Sequence, residues 1–195
     1  MNLEPTVLEG AFARLEPLSL GHVEALCEVG FDPDIWTWMS SDVDSPEKME
    51  GFVRQALDAQ EAGTAVPFAT IERSTGRAVG STRFGAIDVE HQRAEIGWTW
   101  IAPQWHRSGI NREAKLLMLT HAFETMGCLR VELKTNANNE RSRRAILGIG
   151  AVEEGTLRRH MISKGKRRDS VYFSIIVEEW PGVKEKLEES LRRPR

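Results

Sequence analysis

Apolar and polar positions alternate over residues 6–18, the period of a strand with one face on a core. Past Ser19 the spacing changes: Val23, Leu26 and Cys27 recur at helical intervals in GHVEALCEVG. A clearer helix opens at Ser45-Pro46-Glu47, an N-cap serine followed by proline at the first helical position. Its apolar stripe runs through Met49, Phe52, Val53, Ala56 and Leu57, and Gly63 stops it. Strands are predicted at 66–72 and 78–84, joined by Ser74-Thr75-Gly76, and a further strand at 94–101. Gly109 leads into NREAKLLMLTHAFETMG, whose apolar residues go nearly all round, so this helix should be buried against a sheet, with Gly127 closing it. Residues 129–135 read as a strand and 139–149 as a shorter helix. Two more strands, 151–159 and 170–177, are joined by the polar turn SKGKRRD. Val183, Leu187 and Leu191 give an amphipathic C-terminal helix.

Strands joined by hairpins, then one β-α-β crossover, predict an α/β fold with a mixed sheet and helices on both faces. A strand leading into G-x-G-x-x-G is missing, so the rhythm is not that of a dinucleotide-binding fold. The 195 residues hold no repeat, low-complexity stretch or linker, and one domain over 1–195 is the simplest organisation.

Composition narrows the partners. Hydrophobic residues at 41% and charged residues at 28% are ordinary for a globular protein. A net charge of −3 argues against general attraction to nucleic acid or an anionic membrane, although Arg141, Arg143 and Arg144 form a local patch that could hold a small anion. Cys27 and Cys128 sit singly in apolar stretches, so neither a zinc cluster nor a disulfide framework is expected; both read as buried core residues, and a reducing cytoplasm fits. MNLEPTVLEGAF lacks the basic and apolar regions of a signal peptide, and no apolar run is long enough to span a membrane.

The chemistry concentrates in EIGWTWIAPQWHRSGINREA, residues 95–114: a strand, a loop with small residues, and a helix starting near Gly109. A helix start offers unpaired backbone N–H groups and the positive end of the dipole. Phosphate binds there when no bulky side chain blocks the backbone, and Ser108-Gly109 provides that access, with Arg107 adding charge. Taken alone, the same residues also describe an ordinary strand-to-helix turn.

With its surroundings, the segment resembles the GNAT superfamily of acyl-CoA N-acyltransferases, whose signature is [Q/R]-x-x-G-x-[G/A] between strand and helix. His106-Arg107-Ser108-Gly109-Ile110-Asn111 keeps the central glycine and departs at both ends. The nearest branch is the one that acetylates ribosomal-protein N-termini: AEIGW at 94–98, NREA at 111–114, NERSRRAI at 139–146 and the final Glu178-Glu179-Trp180 resemble it, as does the order of elements. Backbone N–H groups do most of the gripping in such a loop, so the two departures bear on coenzyme A affinity rather than on the fold.

The resemblance implies a mostly antiparallel central sheet in which two neighbouring parallel strands, 94–101 and 129–135, splay apart around the thioester of acetyl-CoA. It implies that Ile101 and Ala102 pair main chain with the pantetheine amides and that His106, Arg107, Ser108, Gly109, Ile110, Asn111 and Arg112 surround the pyrophosphate. Asn139 and Ser142, at the N-x-x-S position, would face the arm near sulfur; Asn139 also reads as a helix N-cap. No metal is implied.

Amine acylation needs a base, since an ammonium has no lone pair. Glu95 lies eleven residues before His106, a separation resembling that of the superfamily's base glutamate, and its apolar neighbours could raise its pKa by burial. It could equally be an outward-facing strand charge. His160 is a second candidate base, or a surface histidine. Ser142 could protonate the leaving thiolate, as the branch suggests; Tyr172, the single tyrosine, could do the same or pack in the core. Trp36 and Trp38, with Asp32, Asp34, Asp42 and Asp44, could form an acidic, aromatic-walled entrance for a cationic amine, or be loop-packing aromatics beside solvated aspartates. The leading reading is acetyl transfer to an α-amino group of a protein or peptide. Acylation of a small amine and a non-catalytic acyl-CoA-binding module are the alternatives. A homodimer is expected from the resemblance and from exposure of the last strand and the C-terminal helix.

Overall fold

The computed structural model describes residues 1–192. Its strands are β1 (Leu8–Glu9), β2 (Ala13–Pro17), β3 (Val66–Glu72), β4 (Ala78–Asp88), β5 (Arg93–Ile101), β6 (Arg130–Asn136), β7 (Val152–Ser163) and β8 (Lys166–Ile176). Helices are α1 (Val23–Cys27), α2 (Pro33–Trp36), α3 (Pro46–Glu61), α4 (Ile110–His121), α5 (Glu140–Leu147) and α6 (Trp180–Arg192). The strands form one sheet in the order β1-β2-β3-β4-β5-β6-β8-β7. Every pairing is antiparallel except β5 with β6.

The residues explain most of these elements. Ser45 Oγ accepts the Lys48 N–H to cap α3, with Pro46 at its first turn. α3 buries Met49, Phe52, Val53 and Ala56 on one face of the sheet, in a core shared with Leu26, Trp36 and Trp100. On the opposite face α4 and α6 cover Phe84, Ile96, Val131, Leu133 and Phe173 with Met118, Leu119, Trp180, Val183 and Leu187. Helices therefore lie on both faces, as the pattern predicted.

Three expectations are corrected. The strand predicted at 6–18 is two short strands that turn back at 10–12. The reason lies outside the segment: the buried Glu113 carboxylate of α4 accepts the N–H groups of Ala11, Phe12 and Ala13 at 2.9, 2.6 and 2.6 Å. Gly10 makes the contact possible, because a Cβ there would stand 2.4 Å from Glu113 Cδ. Second, the last strand is not an edge: β8 is paired on both sides and β7 is the outer strand, while α6 turns its apolar residues inward. Of the two grounds for a homodimer, the exposure of these elements is thereby removed, while the resemblance is untouched. Third, Cys128 is buried but Cys27 is half-exposed at the end of α1.

α4 also carries a buried lysine. Lys115 is 7% exposed, and its Nζ donates to Thr99 Oγ1 at 2.7 Å, bridging the helix to β5. Burial pushes its pKa down to about 7. In the unfolded chain the same group titrates near 10.5. Between these values the unfolded state holds a proton that the folded state has released, so this group makes folding more favourable as pH rises, and its penalty is complete below about 7.

Two measurements check this packing. Glu113→Ala leaves three backbone donors without their acceptor and should lower unfolding free energy by about 3 kcal/mol or more in urea titrations; a loss below about 1 kcal/mol would mean water replaces the carboxylate. Lys115→Met should raise stability at neutral pH, with the gain over the parent shrinking as pH climbs from about 7 to 10.5. A gain independent of pH would show that the lysine is not the titrating group.

Candidate active site

The site begins with a fork in the sheet. β5 and β6 pair over Arg93–Arg130, Ala94–Val131 and Glu95–Glu132 and then part. A bulge in β5 accounts for the parting. Ser81 opposes Trp100 and Arg83 opposes Gly97, so Trp98 and Thr99 together face the single residue Thr82. An extra residue bends a strand and deepens its twist. Trp98 sits at φ +50°, uncommon for a bulky residue, and is held there by its neighbours. Its ring lies where a side chain on Gly85 would be, 2.3 Å from that position, and the Arg83 guanidinium stacks 4.7 Å from the ring centroid.

Beyond the fork, Pro103–Trp105 form one 3-10 turn and α4 follows. Gly109 is its N-cap at φ +97°, a left-handed conformation that glycine adopts without strain. Ser108 Oγ is held by the Trp105 carbonyl at 2.7 Å. Gly109 and Ile110 are buried while Asn111 and Arg112 are exposed, so the helix start reaches the surface within its first turn. His106 Nε2–H donates to the Ile101 carbonyl at 2.9 Å, an internal role for the residue that departs from the signature. Arg107 is exposed at φ +62°. This backbone fits a pyrophosphate: an accessible helix start, a positive-φ glycine and nearby arginines.

The main-chain expectation is half corrected. Ala102 donates to Val79 O at 2.9 Å and its carbonyl accepts from Trp105 at 3.0 Å, so its main chain is engaged within the protein. Ile101, one residue earlier on an alternating strand, directs its N–H and C=O away from β4; the carbonyl is taken by His106, which leaves the N–H on the side of the opening. Across the fork Asn139 caps α5, its Oδ1 accepting the Ser142 N–H at 3.1 Å, which leaves the half-buried Ser142 with its hydroxyl uncommitted to the cap.

Glu95 stands at the crotch of the fork, 4% exposed, on the α3 face. Gly97 clears room for it: a Cβ there would be 2.8 Å from Glu95 Oε1. The outward-facing alternative is thus excluded by burial. Its Oε2 accepts from Lys134 Nζ at 2.8 Å, and that lysine lies 5.8 Å from the Tyr172 ring centroid and 6.0 Å from that of Trp98. Tyr172 is half-exposed beside Lys134 rather than packed in the core. The exposed His160 meets it edge-on at 5.4 Å and has Nδ1 3.1 Å from Ser170 Oγ.

Of the two readings of the entrance, the loop-packing one fits Trp36. Trp36 is buried, its indole N–H donating to Gly30 O at 2.7 Å and its ring 5.4 Å from Phe52 and 5.5 Å from Trp100. It anchors the loop; Trp38 alone is exposed. Asp32 caps α2, Asp42 pairs with Lys164 and Asp44 pairs with Lys48. Lys164 and Arg168, from the β7–β8 hairpin, donate to the Trp36 and Trp38 carbonyls and so draw the hairpin over this loop. Sequence reasoning missed Arg83, Lys134 and Arg168. The available signal was a charge inside an apolar run, as in AVGSTRFGAI. Among the described residues no group of histidine, cysteine or acidic side chains is placed to hold a metal, and no helix is long and apolar enough to cross a membrane.

Residues 13–152 match the family described as Acetyltransferase (GNAT) domain. A Bacillus subtilis (strain 168) protein with the provisional name ribosomal N-acetyltransferase YdaF is 35% identical over 109 residues, covering 56% of this chain and 59% of that one. The crystal structure of a GCN5-related N-acetyltransferase from Brucella melitensis superposes with a TM-score of 0.89 at 29% identity, covering 96% of this chain and 86% of that chain. Mycobacterium smegmatis RimJ, solved in complex with CoA-disulfide, shares the fold at a TM-score of 0.83 and 22% identity over 97% of each chain. With most of its length matching the family and its forked sheet matching the fold, the chain belongs to the GNAT acetyltransferases, and its activity is N-acetyl transfer.

Proposed function

We propose that the protein transfers the acetyl group of acetyl-CoA to a primary amine at the N-terminus of a protein or peptide. One observation carries this reading: the opening between β5 and β6 has a buried carboxylate, Glu95, at its crotch and a glycine-capped helix start at its far end. Acyl donor and amine acceptor can therefore meet inside the sheet. The ribosomal branch is supported by the name of the YdaF relative, and a CoA-type ligand by the RimJ complex.

The donor supplies an activated thioester; the chain supplies placement and proton transfer. The N–H groups of the first turn of α4, with Arg107 and Arg112, hold the pyrophosphate, and the Ile101 N–H pairs with the pantetheine arm. Asn139 and Ser142 flank the sulfur end. Glu95, directly or through one water, accepts the proton that the incoming ammonium must lose before its nitrogen can attack the acetyl carbonyl. As the C–S bond breaks, the Ser142 hydroxyl gives a proton to the thiolate and recovers one from solvent. Lys134, bound to Glu95, fixes the direction in which that carboxylate points.

Acetyl-CoA at ~100 times Kd should stabilise the fold by about 2.7 kcal/mol. Gly109→Val should abolish that shift, since a branched residue resists φ +97° and crowds the phosphate-facing backbone; an undiminished shift would misplace the phosphate site. Glu95→Gln should keep the melting shift but lower turnover ~10²–10⁴-fold in thiol release with N-terminally free peptides. That deficit should narrow as pH rises, because more amine then arrives deprotonated. Turnover close to the parent's at neutral pH would remove Glu95 from the base role.

A further inference from the structure

On the α3 face of the fork, Glu132 is taken by Arg93 and Arg130, which leaves Glu95 as the carboxylate for Lys134, Arg83 and Arg168. Arg83, in the middle of β4, is 4% exposed, and its guanidinium stacks 4.7 Å from the Trp98 centroid and 5.4 Å from that of Phe52. Its Nη2 is buried without a hydrogen-bond partner. Arginine does not shed its proton in proteins, so a buried guanidinium without an anion is destabilising. The strand register keeps Arg83 on the same face as Glu95, opposite Gly97, over which the Glu95 carboxylate lies. Glu95 is already bound by Lys134. Arg168 adds a third cation, with Nε buried and unpartnered and Nη1 3.4 Å from the Trp38 carbonyl. Three of the four aspartates of the entrance are bound elsewhere, Asp42 to Lys164, Asp44 to Lys48 and Asp32 at the start of α2, and Asp34 is exposed. Burial lowers the Arg83 pKa to about 10, in keeping with a cation that has no anion beside it.

A stacked, buried guanidinium with an unpartnered N–H is matched in shape and charge to a planar oxyanion. We propose that the acceptor carries a carboxylate close to its amine, received by Arg83 with Arg168 assisting, while the amine points toward Glu95. The proposal rests on reading this opening as the acceptor site. The carboxylate is the side chain of an aspartate or glutamate near a peptide N-terminus or the α-carboxylate of a free amino acid, and the two sources are separated by the choice of probe.

The experiment measures binding first, so that it does not depend on turnover. In the presence of CoA, calorimetry compares short N-acetyl peptides that differ only by Asp or Asn in their first two positions, and N-acetyl amino acids with their amides. The acid of the recognised pair should bind ~10–100-fold tighter than its amide, consistent with one charge-assisted bidentate contact. Arg83→Met, which keeps a flexible apolar chain against Trp98, should erase the preference and leave the acetyl-CoA melting shift intact. It should also raise thermal stability, because it removes an unneutralised buried charge; that second readout separates lost recognition from lost folding. Equal affinity of acid and amide, or a preference that survives Arg83→Met, overturns the proposal. Thiol release with the matching free amines tests the other reading separately. Preferential acid binding without thiol release would keep the carboxylate site and refute acetyl transfer at it, whereas thiol release without acid preference would do the reverse.

Discussion

The site depends on the shortness of one strand pairing. β5 and β6 are bonded at three positions, and the bulge at Trp98–Thr99 then carries β5 away. A continuous parallel ladder would satisfy both backbones and leave no opening. Parting them leaves N–H and C=O groups of both strands to find other partners, the kind of exposed edge that folds usually cover. Here the His106 ring takes the Ile101 carbonyl, and the remaining edge faces the space where the acyl donor is proposed to lie. The bulge also changes which residues share a face: Glu95, Gly97, Trp98 and Trp100 look toward α3, while Ala94, Ile96 and Thr99 look toward α4.

Rigid supports hold the fork in shape. Glu113 ties α4 to the first hairpin through three backbone donors, and Lys115 ties it to β5 through Thr99. Both are ionisable groups inside a core, which is costly unless every polar atom is paired. Their cost fixes the start of α4 against the sheet, and that start is the proposed phosphate site. Alternative helix positions that bury only Leu119 and Met118 would leave these groups unsatisfied, so the polar contacts select one register from several that apolar packing permits.

Charge distribution shapes the other side. The chain as a whole is slightly acidic, at −3, yet the α3 face of the fork gathers Arg83, Lys134 and Arg168 near Glu95, while the neighbouring Glu132 is taken by Arg93 and Arg130. Net charge describes long-range attraction and solubility. Recognition inside a cleft follows the few charges that burial removes from solvent screening, and these have the opposite sign.

Local signals determined most of the elements. The capped α3, the strand at Val66–Glu72, the glycine-started α4 and the Asn139 cap all follow from spacing and cap chemistry, which act within a few residues. Strand ends were less legible: β4, β7 and β8 run beyond their predicted limits because pairing with neighbours extends them past their apolar cores. The motif around Gly109 located the loop that opens α4, the proposed phosphate site, and the offset of Glu95 from His106 picked out a carboxylate that proves buried at the fork. What tertiary structure alone decided was pairing among distant residues. The break in the first strand is imposed by Glu113, about a hundred residues away. At the entrance Asp42 meets a lysine from the β7–β8 hairpin, and Trp36 turned into the core because Phe52 and Trp100 close around it. A charge inside an apolar strand is visible in sequence as an anomaly, but whether it is neutralised depends on which side chains the sheet register brings opposite it. For Arg83 the register supplies a glycine, α3 and the bulge supply two rings, and the Nη2 left without a partner is a fact of three-dimensional placement.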